Sequence, residues 1–406
     1  MTDSLKKEKI LVLASSFPRW ANDSSVGGGA FIVKLSEGFL SRFSVYILAP
    51  GDKNSKSYEE LFGFKVFRHK QFFFGNPKIA FGSGILPNIK KNKLLFFLIP
   101  FYLLLEFVEL KKIIKSEKIK IIHAHWILPQ GLVAVFYKKY FNPKIKILAT
   151  INGSDFWGFN NFIGRYLKKY VLKNIDELTV PNSDIKIGVK NLGYLKKTHV
   201  FPMGIDTNFF IPEKKEFNIK KTLGINGPFL LFVGTLVEEK GIRFLVESMS
   251  KISDKYPRVV LLIIGQGNLK KEMLELVKKN NLDKNIQFVN DYINYEDLPK
   301  YFATCDIFIL PSLTEGFPMA FMEAISCETY TIVSEIPVFK TLLKEHEISF
   351  LVKTRSPDDI SCKVIDILNN FENYNLIKKK ARKYVVKNHD WKVVQENYLN
   401  IALSMI

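Results

Sequence analysis

Three cysteines in 406 residues, with no C-x-x-C pair, are too few and too scattered to staple a secreted fold. Cys305, Cys327 and Cys362 stand in apolar or helical surroundings and suit a reducing cytoplasm, where a thiol packs as a small hydrophobe. No two aspartates occur at D-x-D spacing, so one common way of holding Mg²⁺ or Mn²⁺ against a diphosphate is missing. Nor is there an apolar run of the roughly 20 residues that a membrane-spanning helix needs. The main candidate, Leu94 to Leu105, has twelve residues with Pro100 in its middle. The start, KKEKILVLASSF, has the charged-then-apolar order of a signal peptide. Pro18, Arg19 and Trp20 then follow in place of small cleavage-site residues, so Ile10 to Ala14 is expected as the first strand.

Acidic residues are also scarce, 40 against 59 Lys and Arg, for a net charge of +19. The shortage is local. Residues 1–205 hold 32 basic and 14 acidic side chains, whereas residues 206–406 hold 27 and 26. The first half therefore faces something anionic, whether a lipid head group, a phosphorylated acceptor or nucleic acid. Nucleic acid is not expected, because the basic residues are scattered over helical stretches without an RNA-binding motif. In the same half, the run LLFFLIPFYLLL is flanked by Lys90, Lys91 and Lys93 and by Lys111 and Lys112. It is either a helix in the head-group plane or a buried core helix, and the basic flanks favour membrane contact.

Hydrophobic residues make up 47% of the chain, enough for two cores. Apolar runs of strand length alternate with longer helical patterns, which indicates α/β architecture with two doubly wound parallel sheets. Strands are expected at Ile10–Ala14, Ser44–Leu48, Lys65–Arg68, Ile119–Ala124, Ile145–Thr150 and Glu177–Pro181. In the second half they are expected at Phe229–Val233, Val259–Ile264, Ile286–Val289, Ile307–Leu310, Thr329–Val333 and Ser349–Val352. Pro202, Gly204 and Pro212 interrupt FPMGIDTNFFIPEKK, which marks a boundary. The expected division is a first domain at 1–205, a second at 206–385 and a terminal helix at 386–406.

The segment from Ile307 to Ile325 carries the most chemistry. A buried strand ends at Pro311, and a helix is expected to open near Gly316, aiming backbone N–H groups at an anion such as phosphate. Glu315 and Glu323, eight residues apart, offer carboxylates suited to sugar hydroxyls. Upstream, FLLFVGTLVEEKGIRFL turns at Gly234 and starts a helix near Gly241, with Lys240 as a point charge for a diphosphate. The loop GQGNLKKEM has Gly265 and Gly267 but Lys270 where a third glycine belongs, a poor nicotinamide fingerprint. Gly265 and Gly267 serve either a nucleotide pocket wall or a plain tight turn. In IKIIHAHWILPQG, His123 and His125 share one face of a strand at its carboxyl end. No third ligand stands at metal-binding spacing, which leaves acceptor or structural roles.

Together these segments resemble the family 4 retaining glycosyltransferases of GT-B fold over nearly the whole chain. The resemblance implies two Rossmann-like domains facing across a cleft, with the helix around Trp391 to Ala402 crossing back to the first. In the family's terms, Glu315 and Glu323 form the E-x7-E pair, with Glu315 on donor-sugar hydroxyls and Glu323 on the ribose. Lys240 and the backbone of Gly316, Phe317, Pro318 and Met319 hold the diphosphate, beside Gly234 and Thr235. Thr235 replaces the family's usual arginine, so either Arg243 or the helix ends are expected to compensate, or donor affinity is expected to fall. Gly28 and Gly29 belong to a glycine loop facing the diphosphate, assisted by Arg19, and Asn290, Asp291 and Tyr292 occupy the base-recognition position.

ATINGSDFWG matches the family's T-x-H-G-x-D, with Asn152 in place of the histidine and Asp155 as the aspartate. Asn152 can hydrogen-bond a sugar but cannot shuttle a proton. A front-face mechanism tolerates this, since the leaving diphosphate accepts the acceptor's proton. The implied activity is metal-independent transfer of a hexose from a nucleotide diphosphate sugar to a lipid-linked or polysaccharide acceptor in cell-envelope glycan synthesis. No cofactor is implied beyond the donor substrate. The expected location is the cytoplasm, peripherally attached to an anionic inner membrane face. The alternatives are a sugar-nucleotide-binding protein without transfer and a nucleotide-sugar 2-epimerase of the same fold.

Overall fold

The computed structural model describes residues 7–21, 23, 29–73, 75, 79–80, 84–215, 217–289 and 293–406. Gly28 and the Asn290 to Tyr292 segment lie outside the described residues. The chain forms two compact units, one made of residues up to Gly204 together with Trp391–Ile406, the other of Ile205–Asp390.

In the first unit, the strands are β1 (Glu8–Leu13), β2 (Phe43–Pro50), β3 (Tyr58–Leu61), β4 (Phe64–His69), β5 (Ile121–His125), β6 (Lys146–Thr150), β7 (Glu177–Val180) and β8 (Thr198–Val200). They form one sheet in the order β3-β4-β2-β1-β5-β6-β7-β8, parallel except for β3 against β4. Successive side chains point to opposite faces. Leu11, Leu13, Tyr46 and Leu48 join one core, while Ile10, Val12, Val45 and Ile47 join another. Burial on both faces is why these strands read as unbroken apolar runs. The first core is covered by helices Ile99–Glu117, Leu132–Tyr140, Phe162–Asn174 and Ser183–Asn191, the second by Ala30–Glu37 and Trp391–Ser404. The terminal helix docks closely, since a Cβ on Gly38 would lie 2.5 Å from the Gln395 Cβ.

β3 and β8 were not anticipated. β3 carries Glu59 and Glu60 on a partly exposed edge, and β8 has only three residues, so neither shows the apolar period that marks the other strands. The Leu94 to Leu105 run also resolves differently. It is a 3₁₀ turn, Lys93–Leu98, leading into helix Ile99–Glu117, with Pro100 in the first turn where its missing N–H costs nothing. Tyr102, Glu106 and Leu110 are buried, whereas Leu94, Phe97, Leu104 and Val108 are exposed. Among the described residues, no helix is long and apolar enough to cross a membrane.

In the second unit, β9 (Phe229–Val233), β10 (Val260–Ile264), β11 (Ile286–Phe288), β12 (Ile307–Leu310), β13 (Tyr330–Ser334) and β14 (Phe350–Val352) pair in parallel in the order β11-β10-β9-β12-β13-β14. The chain reverses its direction of winding between β9 and β12. In an open parallel sheet the crevice for a ligand lies at that reversal, at the carboxyl ends of the strands.

Candidate active site

The loops leaving β9 and β12 are joined at the reversal. After β9, Glu238–Lys240 makes a 3₁₀ turn and Gly241, at φ +65°, caps helix Ile242–Lys255. A Cβ on Gly241 would stand 2.0 Å from the Pro311 carbonyl oxygen, so only glycine permits both the left-handed backbone and the approach. The Leu313 N–H donates to the Glu239 carbonyl at 2.7 Å, tying the loops together. Across this seam the Lys240 Nζ donates to both Glu315 oxygens, at 2.7 and 2.8 Å. Ser312 Oγ donates to Glu315 Oε1 at 2.6 Å, and the Glu315 side chain is only 4% exposed. One carboxylate thus accepts three charge-assisted bonds in a shielded place.

Helix Met319–Ser326 follows, with Pro318 at its N-cap and no side chain capping it. Pro318 thus offers the first-turn N–H groups no side-chain acceptor, and the Met319 N–H donates to the Phe317 carbonyl at 3.0 Å. A Cβ at Gly316 meets nothing within 4 Å, so no contact inside the protein requires glycine there. The Phe317 ring lies 5.9 Å from the His389 ring. Glu323 is 6% exposed in the interior of this helix, where burial raises its carboxyl to about 7, partly offset by a hydrogen bond from the Tyr295 hydroxyl. Tyr295 stacks on Phe209 at 5.7 Å, which holds that hydroxyl in place.

The glycines after β10 have an internal explanation. A Cβ on Gly265 would fall 1.9 Å from the Gly234 carbonyl oxygen, and one on Gly267 would fall 2.2 Å from that of Leu236. Gly234 N–H donates to Ile264 and Leu236 N–H to Gln266. The two loops lie backbone against backbone.

In the first unit, β6 ends at Thr150, and Gly153 at φ +109° turns the chain into the short helix Ser154–Trp157. Asp155, 2% exposed, organises this turn. Its Oδ1 accepts from the N–H groups of Asn152 and Gly153, both at 3.1 Å, and its Oδ2 from that of Ile127 at 2.7 Å. Burial raises the Asp155 carboxyl to about 6, against the pull of those N–H groups. The Asn152 Nδ2 is buried without a partner among the described residues. Lys168 reaches back from helix Phe162–Asn174 to the carbonyls of Phe156 and Gly158, both at 2.5 Å, and so fixes the segment after the turn.

Two family models cover most of the chain. The model described as "Glycosyltransferase Family 4" matches residues 26–209, and that described as "Glycosyl transferases group 1" matches residues 214–384. The chain belongs to glycosyltransferase family 4. An uncharacterized glycosyltransferase of Methanocaldococcus jannaschii is 28% identical over 289 residues, 71% of this chain and 75% of that protein. An Escherichia coli enzyme named UDP-Gal:alpha-D-GlcNAc-diphosphoundecaprenol alpha-1,3-galactosyltransferase is 27% identical over 292 residues, 69% of this chain and 74% of its own. Among solved structures, the sucrose-phosphate synthase of Thermosynechococcus elongatus superposes with a TM-score of 0.77 at 18% identity, covering 98% of this chain and 99% of that one. The fold is GT-B.

Placed in this glycosyltransferase, several expected site residues come together and others do not. Lys240, Glu315 and the Gly316 to Met319 backbone share the reversal, with Gly234 and the exposed Thr235 in the adjoining loop. Glu315 and Glu323 do not lie on one helix, because Gly316 to Pro318 is non-helical and the helix begins only at Met319. Arg243, expected to compensate for the missing arginine, is paired with Glu272. Arg19 is likewise held by Asp23 at 2.7 Å and Asp52 at 2.5 Å. Gly29 caps helix Ala30–Glu37 through its backbone.

The expectation that His123 and His125 face an acceptor is overturned. Both rings are 0% exposed, because helix Trp391–Ser404 and Phe39 cover their side of the sheet. His123 bonds Thr150 Oγ1 at 2.8 Å, in a buried chain that runs through Thr179 to the Tyr398 hydroxyl. Burial holds His123 well below the usual imidazole range and His125 at about 3, so both are neutral. Asp155, expected beside the reacting sugar, spends both of its oxygens on backbone N–H groups and so shapes the Asn152 turn. Ser312, Tyr295 and Lys168 were not anticipated as site residues. The first follows directly on Pro311 and could have been found there, whereas no motif marks the other two.

Proposed function

We propose that this glycosyltransferase moves a hexose from a nucleotide diphosphate sugar to a lipid-linked acceptor, with retention at the anomeric carbon, at the inner face of an anionic membrane. The observation that carries the reading is the Lys240–Glu315–Ser312 cluster at the β9/β12 reversal. A diphosphate arriving beside the uncapped helix start draws Lys240 away and frees Glu315 to accept from sugar hydroxyls. The open space at Gly316 suits a close backbone approach to that ligand. Glu323 then takes the ribose, exchanging the Tyr295 hydroxyl for a ribose hydroxyl. Asn152, presented by Asp155, hydrogen-bonds the sugar, and the leaving diphosphate accepts the acceptor's proton. The protein's share is positioning and charge stabilisation. The Escherichia coli relative, whose name pairs a UDP-sugar with a diphosphoundecaprenol acceptor, supports the donor and acceptor classes.

Turnover is proposed to need no metal ion, and EDTA is expected to leave it intact. Activity lost to EDTA and restored by Mn²⁺ counts against this. The test of the whole reading is a thermal-shift panel of UDP-, GDP- and ADP-sugars, followed by incubation of the stabilising donor with membranes and detection of the released nucleoside diphosphate. Absence of any shift with all three donor classes would refute it.

A further inference from the structure

Helices Ile99–Glu117, Leu132–Tyr140 and Phe162–Asn174 lie side by side in one layer on the first sheet. A helix in such a layer buries its inner side and turns its outer side to solvent, which favours polar residues there. Here the outer side is apolar. Phe97, Leu104 and Val108 are 70%, 49% and 52% exposed along the first helix and the turn before it. Tyr140 on the second is 59% exposed, and Phe162 and Tyr166, one turn apart on the third, are 86% and 63% exposed. The stripes join, because the Phe107 ring meets Phe136 at 5.4 Å and Lys139 bridges Tyr140 and Tyr170 at 5.6 and 5.2 Å. So wide an apolar surface on a charged unit marks an interaction site.

Charge identifies the occupant. Residues 84–112, 132–146 and 157–174, which make most of this face, contain thirteen Lys and Arg against two glutamates, and with Lys168 buried and Lys138 and Lys146 paired to Asp176, ten of those cations remain. Of those glutamates, Glu106 is 0% exposed, and Glu109 is paired with Lys112 at 3.3 Å. The face offers outside partners no free carboxylate among these residues. Lys111 lies over the Phe141 ring at 4.3 Å, so its stem follows apolar surface while its ammonium stays at the rim. Aromatic rings with lysines at their edge match the boundary between acyl chains and anionic head groups. A protein partner large enough to cover three helices would need acidic rims on every side, whereas a bilayer supplies them uniformly.

The same face continues to the Asn152 turn. Trp157, 58% exposed, stands two residues after Asp155, and Lys168 ties the intervening segment to helix Phe162–Asn174. We propose that the outer side of this three-helix layer rests on an anionic bilayer and presents the Asn152 turn at head-group level, so that the acceptor is taken from the membrane and not from solution. The acceptor clause rests on the glycosyltransferase reading above; the surface itself does not.

Flotation with vesicles of phosphatidylglycerol mixed with phosphatidylcholine tests it, using the full chain without donor. The wild type is expected to float with these vesicles and to be left behind by vesicles of phosphatidylcholine alone. The double variant Phe97→Glu/Phe162→Glu should lose at least tenfold in bound fraction at an unchanged melting temperature. Leu376→Glu, at a 62% exposed site in the other unit, should float like the wild type. In native membranes the double variant should keep its thermal shift with the donor and lose transfer. A wild type that stays unbound, or that light scattering shows as a dimer dispersed by the double variant, overturns the surface while leaving the donor reading intact. Flotation without any donor shift overturns the donor reading and leaves the surface standing. Flotation with undiminished transfer by the double variant overturns the acceptor clause.

Discussion

Replacing Glu323 by glutamine is expected to stabilise the second unit and weaken its hold on the donor. Burial raises this carboxyl from 4.5 in the free side chain to about 7. Between those two pH values the unfolded chain has released the proton that the folded protein keeps, so folding stability falls as pH rises through the interval and the full penalty is present above it. That difference corresponds to roughly 3 kcal/mol, at about 1.36 kcal/mol per pH unit. Relaxation around the charge reduces this, and an amide oxygen still accepts from Tyr295, so a gain of about 2 kcal/mol is a reasonable expectation. For a unit of this size that is roughly 4–8 °C in melting temperature. Melting curves of wild type and Glu323→Gln at pH 8 and pH 5 provide the measurement. The variant should melt higher at pH 8, and the gap should close toward pH 5. Its donor KM should rise, since a ribose hydroxyl then meets an amide in place of a carboxylate. A variant that melts at or below the wild type at pH 8 would contradict the buried, costly carboxylate on which the reasoning depends.

Three further substitutions test other parts of the site. Lys240→Ala removes the ammonium that Glu315 holds and the donor diphosphate would take; a charged hydrogen bond worth about 1.5–3 kcal/mol translates into roughly 10- to 100-fold weaker UDP binding by calorimetry, and an unchanged dissociation constant would remove Lys240 from the donor site. Asp155→Asn leaves the shape but cannot accept from three N–H groups, so kcat should fall with donor KM nearly constant and the melting temperature should drop by the equivalent of about 1–3 kcal/mol; normal kcat in a destabilised protein would show that the Asn152 turn does not position substrate. His125→Leu replaces a buried ring, whose nitrogens have no partner among the described residues, by an apolar side chain; acceptor kinetics should be unchanged, and a raised acceptor KM would restore the acceptor role that its burial denies.

Much of the donor half was readable because its signals are local. The apolar runs at Phe229–Val233 and Ile307–Leu310 appear as strands with those bounds, and the turns after them carry Gly241, Lys240 and Glu315 at the ligand end of the sheet. The glycines at 265 and 267 were visible, but their reason was not, since the carbonyls they admit belong to a loop about 30 residues earlier. Helix start was misplaced by three residues, because Gly316 and Pro318 signal a turn without saying where hydrogen bonding begins.

The amino-acid order alone determined the alternation of buried strands and helices, the basic excess of the first half and the placing of acids and a lysine beside glycine turns. These depend on period, composition and neighbours in the chain. Tertiary structure decided which of those side chains are available. Period two puts His123 and His125 on one face but cannot say that the last helix of the chain will cover it, and no spacing rule joins Arg243 to Glu272 or Tyr295 to Glu323. Exposure and partnership are set by elements remote in sequence, which become neighbours only when the sheets close.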